Sequence, residues 1–205
     1  SVPFPIFKRI ESINGRPVAT EHTMFSNTGA LWDYAKEERK LTEVDEDGLS
    51  WDTTFTEYKF KDDAATSARP ASQSISFEFW DGYKDFAVDW LFDKSTNSYL
   101  RKNGKIDHID RNTKKPIAAK NVVMLFMRES RANDGYEGNL HMLYGTKGTG
   151  KALIFMDGKE IEGKWSKSDR EDKTILYDNK GQEVSLNRGL TWFEVVAPDT
   201  EVTVK

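Results

Sequence analysis

Hydrophobic residues recur at every second position through the middle and end of this chain, and at helical spacing over only one short stretch. Ile75, Phe77 and Phe79 alternate with Ser76 and Glu78, and Phe86, Val88, Trp90 and Phe92 alternate with Ala87, Asp89, Leu91 and Asp93. A period of two is the pleat of a half-buried strand. Val122 to Met127 is apolar at every position, which predicts a central strand covered on both faces. Asn103-Gly104 predicts a tight hairpin between Tyr99-Leu100-Arg101 and Ile106, and Asp157-Gly158 predicts another between Ile154-Phe155 and Glu160-Ile161. Asn179-Lys180-Gly181 separates Ile175-Leu176-Tyr177 from Glu183-Val184-Ser185-Leu186, and the last predicted strand is Trp192 to Val196. Turn signals about eight to twelve residues apart point to an antiparallel sandwich or partly closed barrel.

The first third of the chain reads differently. Val2-Pro3-Phe4-Pro5-Ile6-Phe7 is an extended, proline-stiffened arm, followed by an Asn14-Gly15 turn. Ser26-Asn27-Thr28 offers capping side chains ahead of Ala30 to Arg39, where Leu31, Tyr34 and Ala35 form an i, i+3, i+4 stripe; this predicts one short amphipathic helix. Asp45-Glu46-Asp47-Gly48 reads as a loop, and Ala64 to Ser74, with its Arg69-Pro70, as a flexible connection. The expected organisation is an N-terminal arm and helix over 1–63, a linker over 64–74 and a β-rich domain over 75–205. The expected class is α+β and mainly β: an antiparallel β-sandwich or partly open barrel with an N-terminal arm and one short helix. Six Trp, seven Tyr and twelve Phe among 205 residues supply enough apolar volume for a core.

Charge and cysteine usage narrow the partners. The net charge of −4 gives no general affinity for polyanions, so no nucleic-acid partner is expected. Residues 43–63 hold eight acidic and two basic side chains, whereas 101–128 hold eight basic and two acidic ones. The two stretches are solvated faces, or the basic one meets an anionic surface or polymer. The lack of cysteine excludes disulfides, a thiol nucleophile and cysteine-ligated zinc. No apolar run approaches the roughly 20 residues that span a bilayer. The chain begins at Ser1, and membrane attachment is expected only through an anchor outside it.

Gly145-Thr146-Lys147-Gly148-Thr149-Gly150-Lys151 fits the start of a phosphate-binding loop. Ala152, however, stands where Ser or Thr would hold magnesium, and strand-like runs flank the glycines: Leu140 to Tyr144 before, Ala152 to Met156 after. Such a loop needs a helix behind it, so a turn or bulge is expected and no nucleotide. Glu21-His22 ahead of the helix, and Asp107-His108-Ile109-Asp110, could each supply an acid–base group or a ligand. His141 alternates with Leu140 and Met142 and reads as structural. No histidine pair has compact metal-ligand spacing, so neither metal nor cofactor is expected. No Gly-x-Ser-x-Gly elbow is present. Of Trp32, Trp51, Trp80, Trp90, Trp165 and Trp192, alternation makes Trp90 and Trp192 core candidates, whereas Trp80, before Asp81-Gly82, is expected to be partly exposed.

Several segments together resemble the YerB-type family of bacterial envelope lipoproteins. They are Asn97 to Gly104, His108-Ile109-Asp110, Ala119-Lys120-Asn121-Val122-Val123, Gly148 to Lys159, Glu162-Gly163-Lys164-Trp165-Ser166-Lys167, Tyr177-Asp178, Gly181-Gln182-Glu183, and Asn187 to Trp192. Their order covers residues 75–198, about 60% of the chain. Glu21-His22-Thr23-Met24-Phe25-Ser26 and the following helix resemble the end of the family's N-terminal α/β portion. The resemblance implies an exported, membrane-anchored protein facing the cell wall, with a β-rich C-terminal domain of no assigned activity and no established catalytic residues. It turns the glycine loop into part of a hairpin. It also draws attention to Arg101, His108, Asp110 and Asn121, which either bind a ligand or order hairpins, with Arg101 able to pair with Asp110.

Two functions are therefore expected as alternatives. One is a non-catalytic envelope module binding peptidoglycan or a wall-assembly protein. The other is a hydrolase acting on wall glycan or peptide through His22 or His108 with a carboxylate. The candidate site residues are Glu21, His22, Arg101, His108, Asp110 and Asn121.

Overall fold

A computed structural model describes residues 5–13, 15–50, 53, 55–135, 138 and 141–205. Val2, Pro3 and Phe4 of the arm, Asn14, Trp51 and Leu140 lie outside the described residues. The chain divides into two units, Ser1–Phe55 and Thr56–Lys205. Residues 56–74 thus belong with the β-rich unit.

In the first unit, β1 (Lys8–Arg9), β2 (Ser12–Ile13), β3 (Arg16–Pro17) and β4 (Met24–Phe25) pair antiparallel as β1–β4 and β2–β3. Helix α1 (Thr28–Glu37) begins where the Asn27 side-chain oxygen accepts from the Ala30 N–H at 2.8 Å, an N-cap that satisfies one orphan donor. Leu31, Tyr34 and Ala35 are its half-buried face, as their spacing predicts.

The second unit holds β5 (Phe60–Lys61), β6 (Ser74–Phe77), β7 (Val88–Asp93), β8 (Ser98–Asn103), β9 (Ile106–Asp107), β10 (Ala118–Ala119), β11 (Asn121–Phe126), β12 (Glu129–Arg131), β13 (Met142–Tyr144), β14 (Gly148–Met156), β15 (Lys159–Lys167), β16 (Ile175–Asp178), β17 (Leu186–Asn187), β18 (Thr191–Val196) and β19 (Val202–Val204). One sheet has the order β10-β8-β7-β6-β19, with β9 on β8; the other has the order β16-β15-β14-β11-β18. Neither path closes on itself, so the fold is a mainly antiparallel sandwich and not a barrel. Two pairings are parallel: β11 with β18, and β5 with β17.

Alternation builds the first core between the sheets. Ile75, Phe77, Val88, Trp90, Phe92 and Tyr99 meet Val122, Met124, Phe126, Leu153, Phe155 and Val196. A second core lies on the other face of the second sheet, where Val123, Leu125, Ala152, Ile154 and Met156 pack with Trp165, Leu176, Val184 and Leu186. Every residue of β11 is buried, which is why its sequence is apolar from Val122 to Phe126. Each large side chain so buried contributes about 1.5–3 kcal/mol.

The turns follow their residues, with adjustments. Asp157 and Gly158, at φ 56° and 69°, form the two-residue loop between Met156 and Lys159, the twist such a hairpin requires. At the other predicted hairpin, Asn103 pairs with Ile106, so the loop residues are Gly104 and Lys105, not Asn103 and Gly104. β19 follows Trp192–Val196 as a further strand, which corrects the expected end of the sheet structure. Residues 64–74 are pinned: Arg69 donates to the carbonyls of Ala64 and Lys94 at 2.8 and 2.9 Å, and Phe92 N–H donates to Gln73 O at 2.9 Å.

Gly145 to Lys151 runs directly into β14, with no helix behind it. A Cβ on Gly150 would stand 2.4 Å from Trp165 Nε1 and 2.5 Å from Phe126 O, because the Trp165 indole crosses the strand there and donates to Phe126 O at 2.9 Å. The glycine is needed for an indole, not a phosphate.

Candidate functional site

Arg101 and His108 come together. Arg101 points inward from β8, beside Trp90 across the β7–β8 pair. Its Nε donates to Glu194 Oε1 at 3.2 Å, and Trp90 Nε1 donates to the same oxygen at 3.1 Å. The guanidinium also lies 5.0 Å from the Trp192 ring centre and 5.7 Å from that of Trp90, within cation–π range. Both charged side chains are buried, at 7% and 4% exposure. Arg101 Nη1 stands 3.0 Å from His108 Nδ1. Arginine can only donate, so Nδ1 is the acceptor and Nε2 carries the proton. Burial, and then the Arg101 charge, lower the His108 pKa, against a smaller upward pull from Glu194. The histidine is held as a neutral acceptor.

Asp110 does not join this group, and Arg101 pairs with Glu194 instead of Asp110. Asp110 Oδ1 accepts from the N–H groups of Asn112 and Thr113 at 3.0 and 2.6 Å, an Asx turn. Asn121 enters a separate network. It donates to Asn187 O at 2.9 Å and Thr191 Oγ1 at 3.0 Å, and accepts from Asn187 N–H at 2.9 Å. Glu21 and His22 lie in the other unit, on an exposed turn of 3₁₀ helix, Thr20–His22. The basic stretch 101–128 gives three of its cations to ion pairs: Arg101 to Glu194, Lys120 to Asp63 at 2.5 Å, and Lys102 to Asp107 at 3.6 Å.

Lys61, Asn97, Asp157 and Asn187 extend the Asn121 network, and the sequence does not single them out as site residues. Asp157 accepts through Oδ1 from Asn97 Nδ2 (2.7 Å), Asn187 Nδ2 (2.8 Å) and Ala64 N–H (3.1 Å), and through Oδ2 from Lys61 Nζ (2.5 Å). Burial would raise its pKa, yet these donors bring it down to about 2. Glu194 had a readable signal. It shares the inward phase of β18 with Trp192 and Val196, and a carboxylate there demands a buried cation.

A cleft of about 950 Å³ in this unit is lined by residues of β6, β7, β19 and the β18–β19 connection. Six carboxylates line it, Glu78, Asp81, Asp89, Glu129, Asp199 and Glu201, against Lys84 and Lys105. Trp80 lines it too and is 43% exposed; Tyr83 and Phe86, at 61% and 52%, pack edge-on against its indole with ring centres 6.3 and 6.2 Å away. The Asp81-Gly82 turn, with Gly82 at φ 81°, presents these rings. Gly104 braces them: its N–H donates to Ala87 O at 2.8 Å, and an added Cβ would meet Asp85 O at 2.8 Å. Glu78 forms an ion pair with Lys84 through Oε1, while its Oε2 is buried. Trp80 was legible as an exposed indole; the carboxylates were not, because they converge from four separate segments.

Comparison places the chain among known proteins. Residues 75–193 match a family model described as the C-terminal domain of a protein of unknown function (DUF3048). The fold is similar to the crystal structure of YerB protein from Bacillus subtilis, with a TM-score of 0.70 at 17% identity over 98% of this chain and 60% of that one. The chain thus spans 60% of the length of that relative. No curated protein matches it. The chain belongs to the DUF3048 family, and its β-rich unit is a YerB-type domain of unknown function.

Proposed function

We propose that the β-rich unit is a non-catalytic module of the bacterial cell envelope, acting outside the cytoplasmic membrane, that binds a wall glycan in the acidic cleft beside Trp80. The observation that carries this reading is the exposed indole, backed by Tyr83 and Phe86, next to the carboxylates that line the cleft. A sugar ring offers a C–H face for an indole and hydroxyl donors for carboxylates. Six carboxylates against two lysines repel polyanions, so the neutral or amine-bearing glycan strand fits this cleft better than an anionic wall polymer. His108, whose Nδ1 is occupied by Arg101, supports a structural role for that residue.

Co-sedimentation with purified, polymer-stripped peptidoglycan tests the proposal. The protein should pellet with the glycan, and Trp80→Ala should weaken retention at least tenfold, about 1.4 kcal/mol. Equal retention of Trp80→Ala, or a wild-type protein that stays in solution, would remove the reading. Release of soluble sugar or peptide fragments would replace binding with hydrolysis.

A further inference from the structure

Lys61 and Asn187 are direct partners in the parallel β5–β17 pair. Lys61 Nζ stands 2.5 Å from Asn187 Oδ1, although the two residues are 126 positions apart. The Asp157 carboxylate touches both nitrogens: Oδ2 lies 2.5 Å from Lys61 Nζ, and Oδ1 lies 2.8 Å from Asn187 Nδ2. Asn187 is fully buried and the Asp157 side chain is 9% exposed. Asn97 Nδ2 and Ala64 N–H hold the carboxylate in place. An amine, a carboxamide and a carboxylate hydrogen-bonded to both the attacking and the leaving nitrogen are the groups an acyl transfer needs. Lys120 offers a contrast: its ammonium donates to the Asp63 carboxylate and the Thr96 carbonyl.

We propose that this is a self-modification site, at which Lys61 Nζ and Asn187 Cγ become joined by an amide bond with loss of ammonia. The Lys61 ammonium gives one proton to Asp157, a transfer that the low pKa of this carboxylate makes rare and the reaction correspondingly slow. The freed amine lone pair then attacks Asn187 Cγ, and the C=O electrons move onto Oδ1. Asp157 passes its proton to Asn187 Nδ2. The C=O re-forms as the Cγ–Nδ2 bond breaks, and ammonia leaves. Nζ gives up its surplus proton through Asp157, and ammonia departs as ammonium. One ammonium and one primary amide become one secondary amide and one ammonium, with no oxidant, reductant or added reactant. Water is kept from Cγ by the burial of Asn187, and the product bond ties β5 to β17.

The test is the intact mass of the folded, purified chain, denatured after prolonged incubation at neutral pH. The expected mass is about 17 Da, one ammonia, below that of the sequence. Tryptic digestion should yield the Lys61 and Asn187 peptides as one joined species, with no cleavage after Lys61. Lys61→Arg keeps the cation but has no acylable primary amine, and Asp157→Asn keeps the shape but loses the base; both should show full mass. Full mass in folded wild-type protein overturns the proposal. So does a deficit that survives Lys61→Arg, or one mapped to a ring-closed asparagine instead of joined peptides.

Discussion

Arg101 and Glu194 stand on strands of opposite sheets and meet inside the sandwich, where neither has water to fall back on. Removing one member of such a pair leaves the other charged and buried, which costs about 3–5 kcal/mol. Arg101→Met should therefore lower unfolding free energy by that order in urea titration, while the double variant Arg101→Met, Glu194→Gln recovers much of the loss. A single-variant loss below about 1 kcal/mol would contradict the buried pair. His108 adds a pH dependence whose sign is fixed. Its folded pKa lies below the ordinary value, so the unfolded chain takes up the proton first. The stabilisation is complete above about pH 6.5 and is lost as pH falls through the lower folded value. His108→Gln should flatten the part of the stability profile just below pH 6.5 that the wild type loses; an unchanged profile would exclude the histidine as its source.

At the scale of single elements, the glycine segment entering β14 makes the sharpest prediction. Gly150→Ala has no room beside Trp165 Nε1 and Phe126 O, and overpacking of this kind costs about 1–3 kcal/mol. Lys151 lies 5.0 Å from the Phe126 ring centre, a contact worth about 0.5–1 kcal/mol at an exposed position. Thermal melts should thus drop several degrees for Gly150→Ala and only slightly for Lys151→Ala, with Mg-ATP shifting neither. A clear upward shift with Mg-ATP in the wild type, lost in Lys151→Ala, would restore the nucleotide reading. This segment also shows what sequence can carry. Local rules suffice for β7, whose alternation names its buried face, for β11, whose unbroken apolar run announces two cores, and for Asp157-Gly158, whose residue types dictate the hairpin. They do not reach β19, three residues with little pattern of their own, or the parallel partner of β11. The Asp157 network fails for the same reason. Lys61, Asn97, Asp157 and Asn187 are ordinary turn and strand-end residues until the fold brings them together.

For the whole molecule, both cores are built from residues of Thr56–Lys205 alone. A fragment of those residues should fold cooperatively, with a dispersed amide spectrum and a single thermal transition; a spectrum without dispersion would show that the cores do not suffice. Within that unit the first sheet depends on β19, which pairs Val202 with Phe77 and Val204 with Ile75. The second depends on β18, which joins β11 across about 70 residues, from Asn121 to Thr191. Closing loops of this length before any contact rewards them slows folding, toward milliseconds to seconds for sheet proteins. The order of synthesis sharpens the point. A nascent chain that has not reached Val202 has no strand to lay along β6, so that edge stays open, with its backbone donors and acceptors unpaired toward other chains. The first sheet starts to be made early and can be finished only when Val202 to Val204 have emerged.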